Sequence, residues 1–359
     1  MGRDPATGRR RQQTKGGFAT RKAAEQALAD VVRDVGRGTY VGRDPQTVAE
    51  WIERWLPSMA SKVRPSTLRD YEEGLRRVSE RLGHVRLQDL RPLDIEELYA
   101  ALLVDGHRQG GGLSPKTVRN VHIALRRSLA DAERFGLVHR NVAALVKAPT
   151  VQRKEFQTWT ADEVRTFLAS VEGDCLAAAW RLLASTGMRR GEVLGLRWWC
   201  VDLDTGRVQV NQSLTLVREE LVWAPPKTPR SRRTISIDSA TVSALRDHRR
   251  RQHEERLALV EAWTDKDLVF CNEAGGELHP DRFTNAFRRA VAKAGVRRIR
   301  LHDLRHTWAT LALQAGIHPK VVSERLGHAT TGITLDVYSH VQPELDARAA
   351  AAVAQLFSG

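Results

Sequence analysis

Leu301-His302-Asp303-Leu304-Arg305-His306, then Leu326-Gly327-His328, then Leu335-Asp336-Val337-Tyr338-Ser339-His340 is the stretch on which the reading turns. It strings imidazoles, a guanidinium and a phenol along sequence that reads as helices broken by Gly316 and Gly327. That inventory suits phosphate chemistry: fixed cations for a crowded anion, hydrogen-bond donors, and a nucleophile whose ordinary pKa is about 10. Alone, the stretch has little specificity. His-x-x-Arg also occurs at His248–Arg251 and His253–Arg256, in a highly charged segment where both histidines are expected at the surface.

The rest of the chain points to the same kind of partner. Its 359 residues suffice for two or three domains with a real core. The formal charge is +14, and 47 of the 57 basic residues are arginine, the side chain best suited to bidentate phosphate contact. Nucleic acid is the expected partner, against the plainer explanation of an Arg-rich coding bias. No apolar run approaches the ~18 residues of a membrane span, and no apolar segment follows the basic N-terminus as a secretory signal requires. A membrane partner is therefore not expected. Cys175, Cys200 and Cys271 form no CxxC pair, which predicts free, buried thiols in a reducing compartment.

Residues 1–43 form a basic segment, with a strand expected within Arg9–Thr20 and a helix over Arg21–Val35 that stops at Gly36. One strand and one helix bury little, so the piece leans on the rest of the protein or lacks an earlier strand. From Thr47 the period turns helical: Val48, Trp51, Ile52, Trp55, Leu56 and Met59 define one apolar face. Further helices are signalled at Pro65, at Pro92, and at Ser114-Pro115, an N-cap followed by Pro at N1. The result is a helical bundle over 46–146. Its outer faces offer Arg69, Arg76, Arg77, Lys116, Arg119, Arg126 and Arg127 for phosphate contact. Residues 147–156 read as a linker, and Thr160-Ala161-Asp162-Glu163 as a capping box. A helix over about Asp174–Ala184 precedes Thr186-Gly187-Met188-Arg189-Arg190-Gly191-Glu192. There the glycine permits a tight turn that puts Arg189 at a helix start, where anions are favoured, and Glu192 one turn later can hold a guanidinium. Residues 206–238 change period and predict three short antiparallel strands, with Lys227 between the second and third. Trp198 and Trp199 are expected in the core.

Taken in order, these segments resemble the catalytic domain of the tyrosine recombinases, the phage-integrase family. Thr186–Glu192 is similar to that family's first box. Lys227-Thr228, followed by Ser231-Arg232-Arg233-Thr234-Ile235, resembles its hairpin lysine; Leu301–His306 its second box; Leu326-Gly327-His328 its third histidine; and Tyr338 its nucleophile. Residues 46–146 resemble its helical core-binding domain, and Lys15–Val41 its small arm-binding module. The resemblance implies a mainly α fold with a small antiparallel β-sheet (α+β), a catalytic domain over 157–342, and a C-terminal helix over 343–359 that docks on a neighbouring protomer, the alternative being packing within its own chain.

The same resemblance implies the reaction. Tyr338 attacks a DNA phosphodiester to give a 3′-phosphotyrosyl bond, with no cofactor, ATP or metal. Arg189 and Arg305 meet the developing charge, Lys227 protonates the leaving 5′-oxygen, His302 accepts the tyrosine proton, His328 bonds the phosphate, and Glu192 orients the arginines. The expected partners are double-stranded attachment sites, a homotetramer on DNA, a directionality factor and a host DNA-bending protein, in the bacterial cytoplasm with the nucleoid. The biological outcome is integration or excision of a phage or mobile element. His302 and His306 could be read as a metal pair, but no acidic third ligand lies at a suitable spacing. Rival readings are a chromosome-dimer-type resolvase, a type IB topoisomerase-like enzyme, and a DNA-binding regulator without catalysis.

Overall fold

A computed structural model describes residues 16–37, 40–107, 110–152, 156–225 and 232–327, together with positions 354 and 357. The chain divides into two compact units, Met1–Arg153 and Lys154–Gly359. Of the expected N-terminal strand only residues 16–20 are described, and these are not in a strand.

In the first unit, α1 (Arg21–Arg37) runs one residue past Gly36, and four helices follow: α2 (Val48–Met59), α3 (Pro65–Leu82), α4 (Pro92–Asp105) and α5 (Pro115–Arg134). Their starts are chemically explicit. Thr47 and Glu50 form a reciprocal capping box on α2. Proline occupies the first turn of α3, α4 and α5, where the missing N–H costs nothing. The apolar faces meet in one core built from Trp51, Trp55, Leu75, Ile95, Leu102, Val121 and Leu125. Each buried indole also finds an acceptor on α5: Trp51 donates to Ser128 (2.8 Å) and Trp55 to Asp131 (2.8 Å). Trp55 combines full burial with that bond. Trp55→Ala is expected to cost about 3–5 kcal/mol in chemical denaturation of the full chain; a loss below about 1 kcal/mol would show that the bundle is not organised around this residue.

In the second unit, α6 (Ala161–Ser170), capped by Thr160 and Glu163, leads to α7 (Ala177–Thr186) and the short α8 (Arg190–Leu194). The strand region departs from expectation. Among the described residues five strands form two antiparallel sheets: β1 (Val201–Asp202), β2 (Arg207–Val210) and β5 (Arg233–Ser236) in one, β3 (Ser213–Val217) and β4 (Glu220–Ala224) in the other. The β3–β4 hairpin turns through Arg218 and Glu219, both at positive φ (49° and 67°), as a tight two-residue turn requires. Helices α9 (Ser239–Leu259), α10 (Pro280–Ala294), α11 (Asp303–Gln314) and α12 (Pro319–Leu326) complete the unit. An aromatic cluster of Trp159, Phe167, Trp180, Phe283 and Phe287 centres its core.

Three surface and core expectations are corrected. Trp199 is 63% exposed, because the 3₁₀ turn Trp198–Cys200 directs only Trp198 and Cys200 inward. His248 is not a free surface residue: it hydrogen-bonds the Val269 carbonyl at 2.7 Å and lies against Phe270 and Trp198. Cys175 is exposed, unlike the buried Cys200. No helix among the described residues is long and apolar enough to cross a membrane.

Candidate active site

The site begins at the break between α7 and α8. Gly187 ends α7 in the left-handed region (φ 63°), and a Cβ there would lie 2.6 Å from Leu326 Cδ2 and 3.3 Å from the Trp308 ring. Only glycine fits both the turn and the close approach. The turn places Arg189 at the N-cap of α8, where its backbone N–H and its Nη1 both donate to the Glu192 carboxylate (2.9 and 2.7 Å).

Glu192 is the hub. It is 4% exposed, and both of its oxygens also accept from Arg233 on β5 (3.1 and 2.9 Å). Burial pushes the Glu192 carboxyl up, but hydrogen bonds and charge from Arg233, then Arg189, outweigh it and hold the group below the ordinary carboxylate range. On α11, Arg305 is 3% exposed and donates to the carbonyls of Gly187 (2.7 Å) and Leu326. Burial, then the nearby Arg189 charge, pushes its pKa down, although a guanidinium remains cationic at neutral pH.

The C-terminal turn of α12 ties these groups together. Three consecutive carbonyls there are each met by a different guanidinium: Arg325 by Arg233 (2.6 Å), Leu326 by Arg305, and Gly327 by Arg189 (3.0 Å). Helix C-termini carry partial negative charge and unpaired carbonyls, so cations collect there. Gly327 itself caps α12 in the left-handed region (φ 65°).

His302 stands at the N-cap of α11, with its ring 5.2 Å from that of His306. It is open to solvent, with His306 and Arg305 close by. Partial desolvation, then the charges of His306 and Arg305, push its pKa down. Solvent screens part of that push, and the net direction leaves the imidazole neutral near pH 7 and able to accept a proton. His306 is held apart from that role by stacking on Phe156 at 4.0 Å. Among the described residues no group of three His, Cys, Asp or Glu side chains is placed to hold a metal ion.

The structure thus brings together Arg189, Glu192, His302 and Arg305 from the sequence-derived set. Lys227, His328 and Tyr338 lie outside the described residues; β4 and β5 flank the first, and Gly327 directly precedes the second. Arg233 was missed as a member of the cluster. Its signal was the two-residue period of β5, which puts it on the same face as the buried Ile235, where a cation needs a buried partner. On the first unit, Arg69, Lys116, Arg119, Arg126 and Arg127 are exposed. Arg76 and Arg77 are only half-buried and are paired with Glu73, Arg76 also with Glu80, so α3 presents less free charge than its arginine count implies.

Residues 157–344 match the model of the phage integrase family, residues 47–103 that of a phage integrase N-terminal SAM-like domain, and residues 2–35 that of an arm DNA-binding domain. Among curated relatives, a tyrosine recombinase XerC-like protein of Caldanaerobacter subterraneus subsp. tengcongensis is 27% identical over 94% of this chain and 90% of its own length. An integrase of Streptomyces ambofaciens is 28% identical over 94% of this chain and 87% of its own. Of solved structures, the Tn1549 transposon integrase in complex with transposon right end DNA superposes with a TM-score of 0.70 at 21% identity, covering 85% of this chain and 98% of that one. A lambda integrase dimer bound to a core site does so at 0.59 and 18%, covering 93% and 90%. With more than half of its length matched by the family model, this chain belongs to the phage integrase family of tyrosine recombinases.

Proposed function

We propose that this recombinase cuts and rejoins duplex DNA with Tyr338 as the nucleophile and Arg189, Lys227, His302, Arg305 and His328 as its catalytic partners. The tyrosine oxygen bonds to phosphorus, the bond from phosphorus to the 5′-oxygen breaks, and a 3′-phosphotyrosine and a free 5′-hydroxyl result. His302 takes the phenolic proton; Lys227 gives one to the leaving oxygen. Because the phosphoester bond is kept in covalent form, attack by another 5′-hydroxyl reverses the step without ATP or metal. The observation that carries this reading is the gathering of Arg189 and Arg305, drawn from elements far apart in sequence, beside the His302 imidazole. Preorganised donors of this kind stabilise charge that develops only in the transition state. Arg189 is the more accessible of the two, with 36% of its side chain exposed.

Within that reading, residues 1–43 serve as an arm-type segment, 46–146 grip the core site chiefly through the exposed Arg69 of α3 and Lys116, Arg119, Arg126 and Arg127 of α5, 147–156 link the two, 157–342 catalyse, and 343–359 dock on a neighbouring protomer. A lambda integrase tetramer has been solved on a Holliday junction, and its likeness to this chain (TM-score 0.60) supports a homotetramer on DNA here. The DNA partner in this reading is a double-stranded attachment site, and a directionality factor and a host DNA-bending protein set the direction of exchange. The cell compartment is the bacterial cytoplasm, with the nucleoid.

Lys227 offers a separable test. Lys227→Ala is expected to slow adduct formation on a nicked attachment-site duplex in EDTA by about 10²–10⁴-fold. A 5′-bridging phosphorothiolate, whose leaving group needs no proton, should restore most of the rate. Absence of restoration would mean that Lys227 holds phosphate rather than giving up a proton.

A further inference from the structure

Arg233 has no part in the chemistry assigned above, yet the geometry around it is more constrained than a structural ion pair needs. Each oxygen of Glu192 accepts from one Arg233 nitrogen and one Arg189 nitrogen: Oε1 from Arg233 Nη1 (3.1 Å) and Arg189 Nη1 (2.7 Å), Oε2 from Arg233 Nη2 (2.9 Å) and the Arg189 backbone N–H (2.9 Å). The carboxylate therefore has one orientation that satisfies all four bonds. Arg233 Nε, the third nitrogen of the same guanidinium, donates to the Arg325 carbonyl at 2.6 Å, one residue before the carbonyl met by Arg305. Resting on the functional reading above, we propose that Arg233 is a positioning residue for strand cleavage: from β5 it fixes the Glu192 carboxylate, and through that carboxylate the guanidinium of Arg189.

Arg233 does not itself touch the phosphate. All three of its nitrogens are already engaged by protein acceptors. Its effect is indirect and electrostatic as well as geometric. Glu192 is buried among Arg189, Arg233 and Arg305, the charged groups that bear on it from α8, β5 and α11. Without Arg233 the carboxylate keeps only Arg189 as a close partner, and burial then favours its protonated form. A protonated carboxyl no longer orients Arg189, and a donor displaced by about 1 Å costs on the order of 10²-fold in rate. A lysine at position 233 cannot substitute, because one ammonium does not reproduce a planar fork across two oxygens.

The test measures single-turnover adduct formation by the full chain on the nicked attachment-site duplex, with duplex affinity and thermal midpoint measured in parallel. Arg233→Met is expected to slow cleavage by about 10²-fold with duplex affinity within about threefold of wild type. If the residue acts through Arg189, the double variant R189M/R233M is about as slow as Arg189→Met alone, since residues working as one unit are non-additive. A merely structural ion pair would lower the thermal midpoint but leave the two rate losses multiplying. Should Arg233→Met fail to fold, Arg233→Lys keeps the charge and is expected to slow cleavage as well. Wild-type cleavage by either folded variant, or multiplying losses in the double variant, would overturn the proposal while the assigned reaction stands. If wild type itself forms no adduct, the assigned reaction fails and this inference falls with it.

Discussion

Arg305→Ala is expected to slow DNA strand cleavage by at least about 10²–10³-fold, the usual loss when one preorganised donor to a developing oxyanion is removed. The side chain is 3% exposed and tethered between the Gly187 and Leu326 carbonyls, so in the proposed role it would meet the phosphate already oriented. Deleting it also leaves those two carbonyls without that donor at the junction of α7 and α12. Arg305→Lys should rescue little, because an ammonium cannot span both carbonyls and still address the phosphate. Adduct formation under single-turnover conditions checks the claim, with a thermal melt to separate misfolding from lost chemistry. A folded Arg305→Ala protein that cleaves within tenfold of wild type would remove Arg305 from the reaction.

Tyr338→Phe carries the other large effect. Phenylalanine keeps the ring and removes the only atom that can bond to phosphorus, so covalent capture of DNA should vanish while duplex binding persists. The contrast is qualitative, because the duplex affinity proposed for the exposed basic residues of the first unit makes no use of the nucleophile.

How much of this could be read without coordinates depended on whether the deciding interaction was local. The starts of α2 to α6 were legible because their signals lie within four residues: Thr47 with Glu50, Pro at N1, Thr160 with Glu163. The apolar face of Val48, Trp51, Ile52, Trp55, Leu56 and Met59 was legible for the same reason, its period matching the helix; all are buried except Leu56, which is partly buried against the same core. The strands were harder. Only Asn211 and Gln212 separate β2 from β3, so two strands of different sheets read as one. Burial of single residues was least legible: His248 and Trp199 trade places with expectation because tertiary neighbours, Val269 and Phe270 for the former, decide their exposure.

The site followed the same division. Arg189 with Glu192, three residues apart, was readable as a local pair. The partnership of Glu192 with Arg233 spans 41 residues, and the gathering of three guanidiniums on the carbonyls of Arg325, Leu326 and Gly327 joins α8, β5, α11 and α12. No periodicity encodes such a convergence. The strand period alone hinted at it, by turning an arginine inward.

The most direct measurement incubates the full chain with a nicked duplex carrying the attachment repeat, in EDTA, and resolves the products on a denaturing gel. A protein–DNA adduct is expected with the wild-type chain and none with Tyr338→Phe. An adduct that survives Tyr338→Phe, or one that forms only when metal is restored, would contradict this mechanism.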